Sequence, residues 1–317
     1  MVRAESDDAD TLAELLVSAA RPLAPATLRT RLGWSRQRHA KAQRVLQALG
    51  ATLVASGNDV LLRLADPLDA SAIRDSLPRS FAFDEIIVRR VCSSTNDCVR
   101  GQASTVLCVA EVQTAGRGRR GKVWMQPFGS GLALSLGAPA PRGRLDPLAI
   151  AVATAAAMAL EDAGYRGIGL KWPNDLYACG RKLGGVLVEV EGGFEPRVVI
   201  GLGLNVHGAP ALADRDTVAL GELSGPQPCR NVLAAGLAAA LAHALERFEA
   251  EGFAPFAREF ATLDVLVGQT ITLSEGDTAL RGVARGIDEM GALVLDTDSG
   301  CLHRTAGEVT LGAWAGA

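Results

Sequence analysis

The stretch Gln113-Thr114-Ala115-Gly116-Arg117-Gly118-Arg119-Arg120-Gly121 constrains the fold more than any other part of this chain. Gly116, Gly118 and Gly121 satisfy the GxGxxG spacing of a dinucleotide-binding turn. Such a turn must open into a helix whose N-terminus holds the pyrophosphate. Here the chain continues Lys122-Val123-Trp124-Met125-Gln126-Pro127-Phe128-Gly129-Ser130-Gly131, which cannot run as a regular helix. No acidic residue sits on a second strand at the expected distance. The Rossmann reading is rejected. What is left is a glycine-rich loop with three arginines. Its backbone amides can approach a ligand closely, and its guanidinium groups can fork phosphate or carboxylate oxygens. That combination suits an adenylate or a nucleoside triphosphate.

The periodicity around this loop divides the chain into four stretches. Residues 1–65 read as helix, helix, turn, helix and hairpin, the order of a winged helix-turn-helix. The first helix is expected over Asp10 to Ala19, and Pro25 begins a second that Gly33 ends. Ser35 is placed to cap a third over Arg36 to Leu49, with Ala42, Val45, Leu46 and Leu49 inward. At about 100° per residue its other face carries Arg36, Gln37, Gln43, Arg44 and Gln47, with Lys41 on the flank. Residues 66–80 read as a linker with one short helix. Residues 81–265 alternate apolar strands with alanine-rich helices, a mixed α/β pattern. Strands are expected at Ile86 to Val91, Val106 to Val112, Leu132 to Leu136, Leu183 to Val190 and Val198 to Val206. Helices are expected at Pro147 to Ala163 and Asn231 to Glu249. Residues 266–317 hold short strands between turn clusters, which suggests a small β-barrel. The fold class is multidomain α+β.

Composition removes several function classes. With 317 residues and 48% hydrophobic content the chain can bury a sizeable core. The net charge of −3 gives no basic field for bulk nucleic-acid binding, so any DNA contact must be local. None of the six cysteines forms a CxxC pair or a metal-spaced cluster, which predicts reduced thiols. Glu5, Asp7, Asp8 and Asp10 near the start oppose a signal peptide, and no apolar run is long enough to span a membrane. A cytoplasmic protein is expected, with no membrane partner.

Four further polar runs accompany the loop. Lys171-Trp172-Pro173-Asn174-Asp175-Leu176 joins a cation to oxygen groups suited to Mg²⁺. Lys182, in Arg181-Lys182-Leu183-Gly184-Gly185, starts a strand and can present its ammonium to a phosphate. Ser93-Ser94-Thr95-Asn96 can start a helix and offers hydroxyls to a small polar ligand. Gly201-Leu202-Gly203-Leu204-Asn205-Val206 is a strand whose glycines permit close packing against a ligand.

In this order, these blocks resemble the signature of the biotin–protein ligases. The resemblance covers about residues 84–312, and more weakly the first 65. With the N-terminal region included, the chain is similar to the bifunctional ligases that also repress the biotin operon. The resemblance implies a central mixed ligase domain and an SH3-like β-barrel tail. It implies that biotin is activated with ATP and Mg²⁺ to biotinyl-5′-AMP, then transferred to a lysine of a biotin carboxyl carrier protein. Lys182, Arg119 and Asp175 are the implied catalytic residues, with Asp175 also the Mg²⁺ ligand. Ser94, Thr95, Asn96, Gln113, Gly116, Arg117, Gly118 and Trp124 are the implied biotin site. Arg117, Arg119, Arg120, Lys171, Asn174, Lys182 and Asn205 are assigned to ATP and the adenylate. Neither step needs a covalent enzyme intermediate, which agrees with a candidate set of Arg, Lys, Gly and Mg²⁺ ligands.

Operator DNA is the further partner implied, through Arg36, Gln37, Lys41, Arg44 and Gln47, with a homodimer in the adenylate-bound state. Against it, the hairpin turn Ser56 to Asp59 carries no basic residue. One departure from the repressor-type pattern stands out: Ala209 to Glu222 has no aromatic residue to close over adenine. Two other readings are a lipoate or octanoate transferase and a non-catalytic ligand-sensing DNA-binding regulator.

Overall fold

In a computed structural model of the chain, the described residues are 3–19, 21–212, 216–276 and 278–311. The N-terminal part has three helices, α1 (Arg3–Ser18), α2 (Pro25–Leu32) and α3 (Arg36–Ala48), then a hairpin of β1 (Thr52–Ser56) and β2 (Asp59–Arg63). Ser35 caps α3, its Oγ accepting from the Arg38 N–H at 3.2 Å. Helix α1 begins seven residues before the expected Asp10. Glu5 pairs with Lys41 at 2.7 Å and Asp8 with Arg38 at 2.6 Å, so the acidic first turns are anchored on α3. The core of this part joins Leu12, Leu16, Leu28 and Leu46. His39, also on α3, is buried as well.

The segment expected as a linker is firmly packed. It holds α4 (Ala70–Ser76), and both Leu68 and Ile73 are fully buried. Beyond it, a seven-stranded mixed sheet forms the body of the molecule. Its strands are β3 (Glu85–Cys92), β4 (Val106–Gln113), β5 (Gly131–Pro139), β6 (Ile168–Lys171), β7 (Asp175–Ala178), β8 (Arg181–Glu191) and β9 (Arg197–Asn205). They lie in the order β3-β4-β5-β9-β8-β7-β6, with β3 and β4 parallel and every other pair antiparallel. The short helix α5 (Thr95–Val99) packs on one face, over β4, β5 and β9. Helix α6 (Leu148–Asp162), α7 (Arg230–Glu251) and α8 (Ala254–Leu263) contribute to the large apolar core on the other. The five strands read from sequence are all present. Strands β6 and β7 and helix α8 are additions: four-residue strands carry too little periodicity to stand out. The peptide Trp172–Pro173 between β6 and β7 is cis.

Strand alternation sorts this sheet by chemistry. On β5, Leu132, Leu134 and Leu136 join the helix-side core, while Ser135 reaches α5. On β9, Leu202 and Leu204 do the same, which turns Gly201, Gly203 and Asn205 to the opposite face. The β3 edge is closed by α1. Asp10 Oδ1 accepts from the Arg90 and Val91 N–H groups at 2.7 and 2.9 Å, and covering an edge in this way blocks strand addition.

The C-terminal part is β10 (Thr270–Glu275), β11 (Thr278–Ile287), β12 (Leu293–Thr297), β13 (Gly300–Arg304) and β14 (Glu308–Leu311). All pairings are antiparallel, in the order β13-β12-β11-β10-β14. The expected barrel does not close among the described residues: β13 and β14 remain the two edges. A bulge between Ala284 and Ile287 bends β11, curving the sheet without joining its ends. No helix among the described residues is long and apolar enough to cross a membrane.

Candidate active site

A cavity of about 350 Å³ opens on the α5 face of the sheet. That volume is at the lower end of the usual range for small-molecule sites. Its floor is β9. A Cβ on Gly203 would lie 2.3 Å from Trp124 Cε2, and one on Gly201 would lie 2.4 Å from Asn96 Oδ1. The two glycines therefore mark where the indole and the amide rest directly on backbone.

One end of the cavity is a neutral hydrogen-bonding pocket. Gln113 Oε1 accepts from the Thr95 N–H at 2.7 Å and from Thr95 Oγ1 at 3.1 Å. These donors fix the oxygen end of the amide, which leaves the Nε2 end as a donor. Ser135, fully buried, lies 2.7 Å from Thr95 Oγ1 and 2.6 Å from Asn96 Oδ1. Asn96 Nδ2 donates to Glu189 Oε2 at 2.6 Å. Both ends of the Asn96 amide are thus engaged within the protein, so its visible role is to orient α5. Ser94 is buried and makes no capping bond with its hydroxyl. Trp124, its Nε1 donating to Gln126 Oε1 at 3.2 Å, supplies an apolar wall.

The other end is cationic. Lys182 Nζ lies 2.6 Å from Asp175 Oδ1, both side chains largely buried. Arg119 Nη1 donates to Asn174 Oδ1 at 3.2 Å, and Asn174 Nδ2 donates to the Val186 carbonyl. Burial, and then Arg120, pull the Arg119 guanidinium below its usual range. Lys171 Nζ lies 5.3 Å from the centre of the Tyr177 ring. Six basic side chains (Arg117, Arg119, Arg120, Lys122, Lys171, Lys182) line the cavity against three acidic ones (Asp175, Asp216, Glu308). The balance favours a polyanionic ligand. Asn205 Nδ2 donates to the Val218 carbonyl at 3.1 Å, while its buried Oδ1 has no donor among the described residues. Asn205 lines the cavity, so this acceptor is available to a ligand.

The glycine-rich loop folds as a small hairpin around a single turn at Arg119–Gly121, with a bridge between Arg117 and Val123. Arg117 is turned to α5, its guanidinium forked onto Asp97 at 2.7 and 3.1 Å. The same pair holds the Asp97 carboxyl below its usual range. Arg120 has φ +55° and reaches the Ser274 carbonyl on β10 at 3.3 Å, and Lys122 pairs with Glu308 on β14. The C-terminal sheet therefore fastens the loop. Gly116 shapes the loop without lining the cavity: its carbonyl accepts from the Trp124 N–H at 2.9 Å.

All the residues expected at biotin and nucleotide line this one cavity, Gly116 excepted. Sequence reading missed Ser135, Glu189 and Glu308. Ser135 had a signal, a lone hydroxyl in the apolar run Leu132 to Leu136; Glu189 and Glu308 depend on long-range packing and had none. Trp172 is buried, its Nε1 donating to the Gly291 carbonyl at 2.9 Å, so its main work is to dock the C-terminal sheet. Residues 216–218 run beside the start of β8, with Lys182 N–H donating to the Asp216 carbonyl and Val218 N–H to the Lys182 carbonyl. Among the described residues of the loop without aromatics, Pro210, Leu212, Asp216 and Thr217 line the cavity.

Of the residues expected at DNA, Arg36, Gln37, Lys41, Arg44 and Gln47 are all exposed on α3. Lys41 is paired with Glu5, which lowers its value to a phosphate.

Comparison with known proteins agrees with this geometry. Residues 88–205 match the biotin/lipoate A/B protein ligase family, and residues 266–312 match the biotin protein ligase C-terminal domain. The chain is 37% identical over 256 residues to the bifunctional ligase/repressor BirA of Salmonella typhimurium, covering 77% of this chain and 78% of that relative. It is 32% identical over 261 residues to the biotin–[acetyl-CoA-carboxylase] ligase of Mycobacterium tuberculosis, covering 78% and 97%. The biotin protein ligase from Aquifex aeolicus in complex with biotin and ATP superposes with a TM-score of 0.64 at 25% identity, covering 73% of this chain and 99% of that one. This chain belongs to the biotin protein ligase family.

Proposed function

We propose that the chain, a biotin protein ligase, joins biotin to ATP and then passes it to a lysine of a biotin carboxyl carrier protein. In the first step a biotin carboxylate oxygen attacks the α-phosphorus, giving biotinyl-5′-AMP and releasing pyrophosphate. In the second the lysine amine attacks the mixed anhydride, forming the amide and releasing AMP. The carrying observation is that one cavity has a neutral hydrogen-bonding pocket at one end and a cationic one at the other, joined by β9.

The neutral end suits a cyclic urea. Gln113 and the hydroxyls of Ser94 and Thr95 pair with it, and Trp124 covers the apolar part of biotin. Selectivity arises because a ligand that cannot pair leaves these buried groups unsatisfied. Lys182 and Arg119 neutralise charge on the phosphoryl oxygens as the α-phosphate is attacked. The orphaned Oδ1 of Asn205 accepts from the amino group of adenine. Asn174 positions Arg119. Arg120 and Lys171 add positive charge around the polyphosphate. Arg117 and the glycines of the loop hold the adenylate in place by latching to α5.

Asp175 would hold Mg²⁺. Among the described residues no three His, Cys, Asp or Glu side chains cluster as a full metal cage. One carboxylate completed by phosphates and water is an ordinary magnesium set, so the residues fit. When bound, the ion adds positive charge to the leaving pyrophosphate.

We assign residues 1–65 to a winged helix-turn-helix, 66–80 to a packed connector, 81–265 to the catalytic domain and 266–317 to an SH3-like domain. The adenylate-bound protein is read as a cytoplasmic homodimer that binds operator DNA and represses transcription. Arg36, Gln37, Arg44 and Gln47 are the exposed groups that support DNA contact.

The test is a mass-spectrometric assay with biotin, ATP and Mg²⁺, with and without a biotin carboxyl carrier domain. Wild type forms biotinyl-AMP alone and biotinylates the carrier lysine when it is present. Lys182→Ala loses adenylation by about a hundredfold or more while its circular dichroism is unchanged. Undiminished turnover in that variant removes the role given to Lys182, and absence of both products in wild type overturns the ligase reading.

A further inference from the structure

Three of the six cysteines meet behind the biotin pocket, although they are far from any recognisable spacing. Cys92 ends β3, Cys108 lies within β4, and Cys98 is on α5. Cys98 packs against two small buried clusters at once, one holding Cys108 and the other Cys92. The three thiols therefore share one packed neighbourhood between α5 and the sheet. Cys92 and Cys108 are buried, whereas Cys98 is half-exposed. The cluster is asymmetric in chemistry as well. Donation from Cys108 and Cys92, with Arg89 alongside, pushes Cys98 below the usual thiol range. Cys92 and Cys108 are pushed well above it by the Cys98 contact and by burial. One half-exposed thiol with two buried thiols in the clusters packed against it is the arrangement of an oxidant-sensitive cysteine with a resolving partner.

We propose that Cys98 is a redox modification site, oxidised by peroxide to a disulfide with Cys108 or Cys92 that weakens biotin binding. The Cys98 thiolate attacks one peroxide oxygen, the O–O bond breaks, and with a proton the products are a sulfenic acid and water. The neighbouring thiol then attacks that sulfur, forming the S–S bond and releasing a second water. Two thiols are oxidised by two electrons in total, and one hydrogen peroxide is reduced to two waters.

The link to the pocket is α5. Cys98 Sγ reaches the Ser94 carbonyl at 3.6 Å, and Thr95 and Asn96, one turn earlier, hold Gln113 and Ser135. Pulling Cys98 onto the sheet displaces the residues that set the neutral end of the cavity. This consequence rests on the biotin ligase reading; the modification does not.

The experiment treats the full-length protein with stoichiometric hydrogen peroxide and blocks the remaining thiols by alkylation. Peptides are mapped by mass spectrometry, and the KM for biotin is measured in parallel. The expected result is a peptide pair joining Cys98 to Cys108 or Cys92, formed before the exposed Cys179, Cys229 and Cys301 react. The KM for biotin rises between about ten- and a hundredfold, as expected for a misplacement of about 1 Å, and dithiothreitol restores it. Cys98→Ser turns over normally and its KM no longer responds to peroxide. Oxidation confined to Cys179, Cys229 and Cys301 overturns the proposal, and this readout needs no variant to fold. A Cys98 disulfide with unchanged KM overturns the link to biotin. Mapping remains decisive if no ligase activity is found, so failure of the two readings can be told apart.

Discussion

Glu111 on β4 is fully buried between two buried arginines, and replacing it with glutamine should cost the protein much of its stability. Glu111 Oε1 accepts from Arg90 at 3.1 Å and from the Leu68 N–H at 2.8 Å; its Oε2 accepts from Arg230 at 2.6 Å. Arg230 begins α7, its side chain is 0% exposed, and its Nε lies 3.8 Å from Asp66 Oδ2, beyond hydrogen-bonding distance. It also donates to the Gly131 and Asp66 carbonyls, which satisfy hydrogens without supplying a full countercharge. Arg90 has a second carboxylate, Glu14 at 2.8 Å, but that side chain is 56% exposed. In Glu111→Gln, the buried Arg230 guanidinium loses its close anion, keeping only Asp66 at 3.8 Å, and one N–H meets an amide N–H. Breaking a buried pair from one side costs about 3–5 kcal/mol. That is a large share of a typical stability of about 5–15 kcal/mol. Urea titration followed by circular dichroism measures it. Glu14→Gln is the control, expected to cost less than about 1 kcal/mol because exposed pairs contribute little. A Glu111→Gln variant within about 1 kcal/mol of wild type would refute the claim that this buried carboxylate is the main countercharge of Arg230, with Asp66 too distant to replace it.

Two other perturbations probe different parts of the structure. Asp264, after α8, has its Oδ1 on the Leu266 N–H at 2.8 Å and its Oδ2 buried without a partner among the described residues; burial pushes it up to about 6. The folded state therefore holds this proton more tightly than the unfolded chain does. Its contribution is complete below about pH 4 and is lost as pH rises through 6, by up to about 3 kcal/mol. Asp264→Asn should raise stability at pH 7 to 8 and flatten that part of the stability–pH curve; an unchanged curve would show that water reaches the carboxylate. Gly203→Ala places a methyl against the Trp124 ring and should weaken biotin binding by about tenfold or more, with about 1–3 kcal/mol of overpacking strain. Calorimetric titration giving wild-type affinity would mean that the indole is not a wall of the site.

Much of this could be read from the sequence because the chemistry there is local. The loop from Gly116 to Gly121, the run from Lys171 to Asp175 and the strand from Gly201 to Asn205 each carry their residue types side by side. The strand runs were legible for the same reason, since each is a mainly apolar stretch of five or more residues. What stayed hidden depends on partners far along the chain. The start of α1 is set by Glu5 and Asp8 against α3, about thirty residues later. The packed connector is set by Glu111 and Asn231, which accept from the Leu68 and Asp69 N–H groups. No window of local propensity contains either.

The open C-terminal sheet makes the same point in the other direction. Regular turn spacing correctly announced short strands, yet closure depends on whether the first and last edges meet. Here β14 takes the free side of β10, and Glu308 at its start pairs with Lys122 of the glycine-rich loop. The edge region that would close a barrel instead faces the active site, with Gly307 to Thr310 lining the cavity. The sheet is thereby joined to the loop by Lys122 and Arg120, and to the β6–β7 turn by Trp172. Two of the five signature blocks are thus fastened from outside the domain that bears them. A sheet docked at both points fixes the distance between the cationic loop and Lys171 to Asp175. That distance decides whether Arg119 and Lys182 can meet the same phosphate.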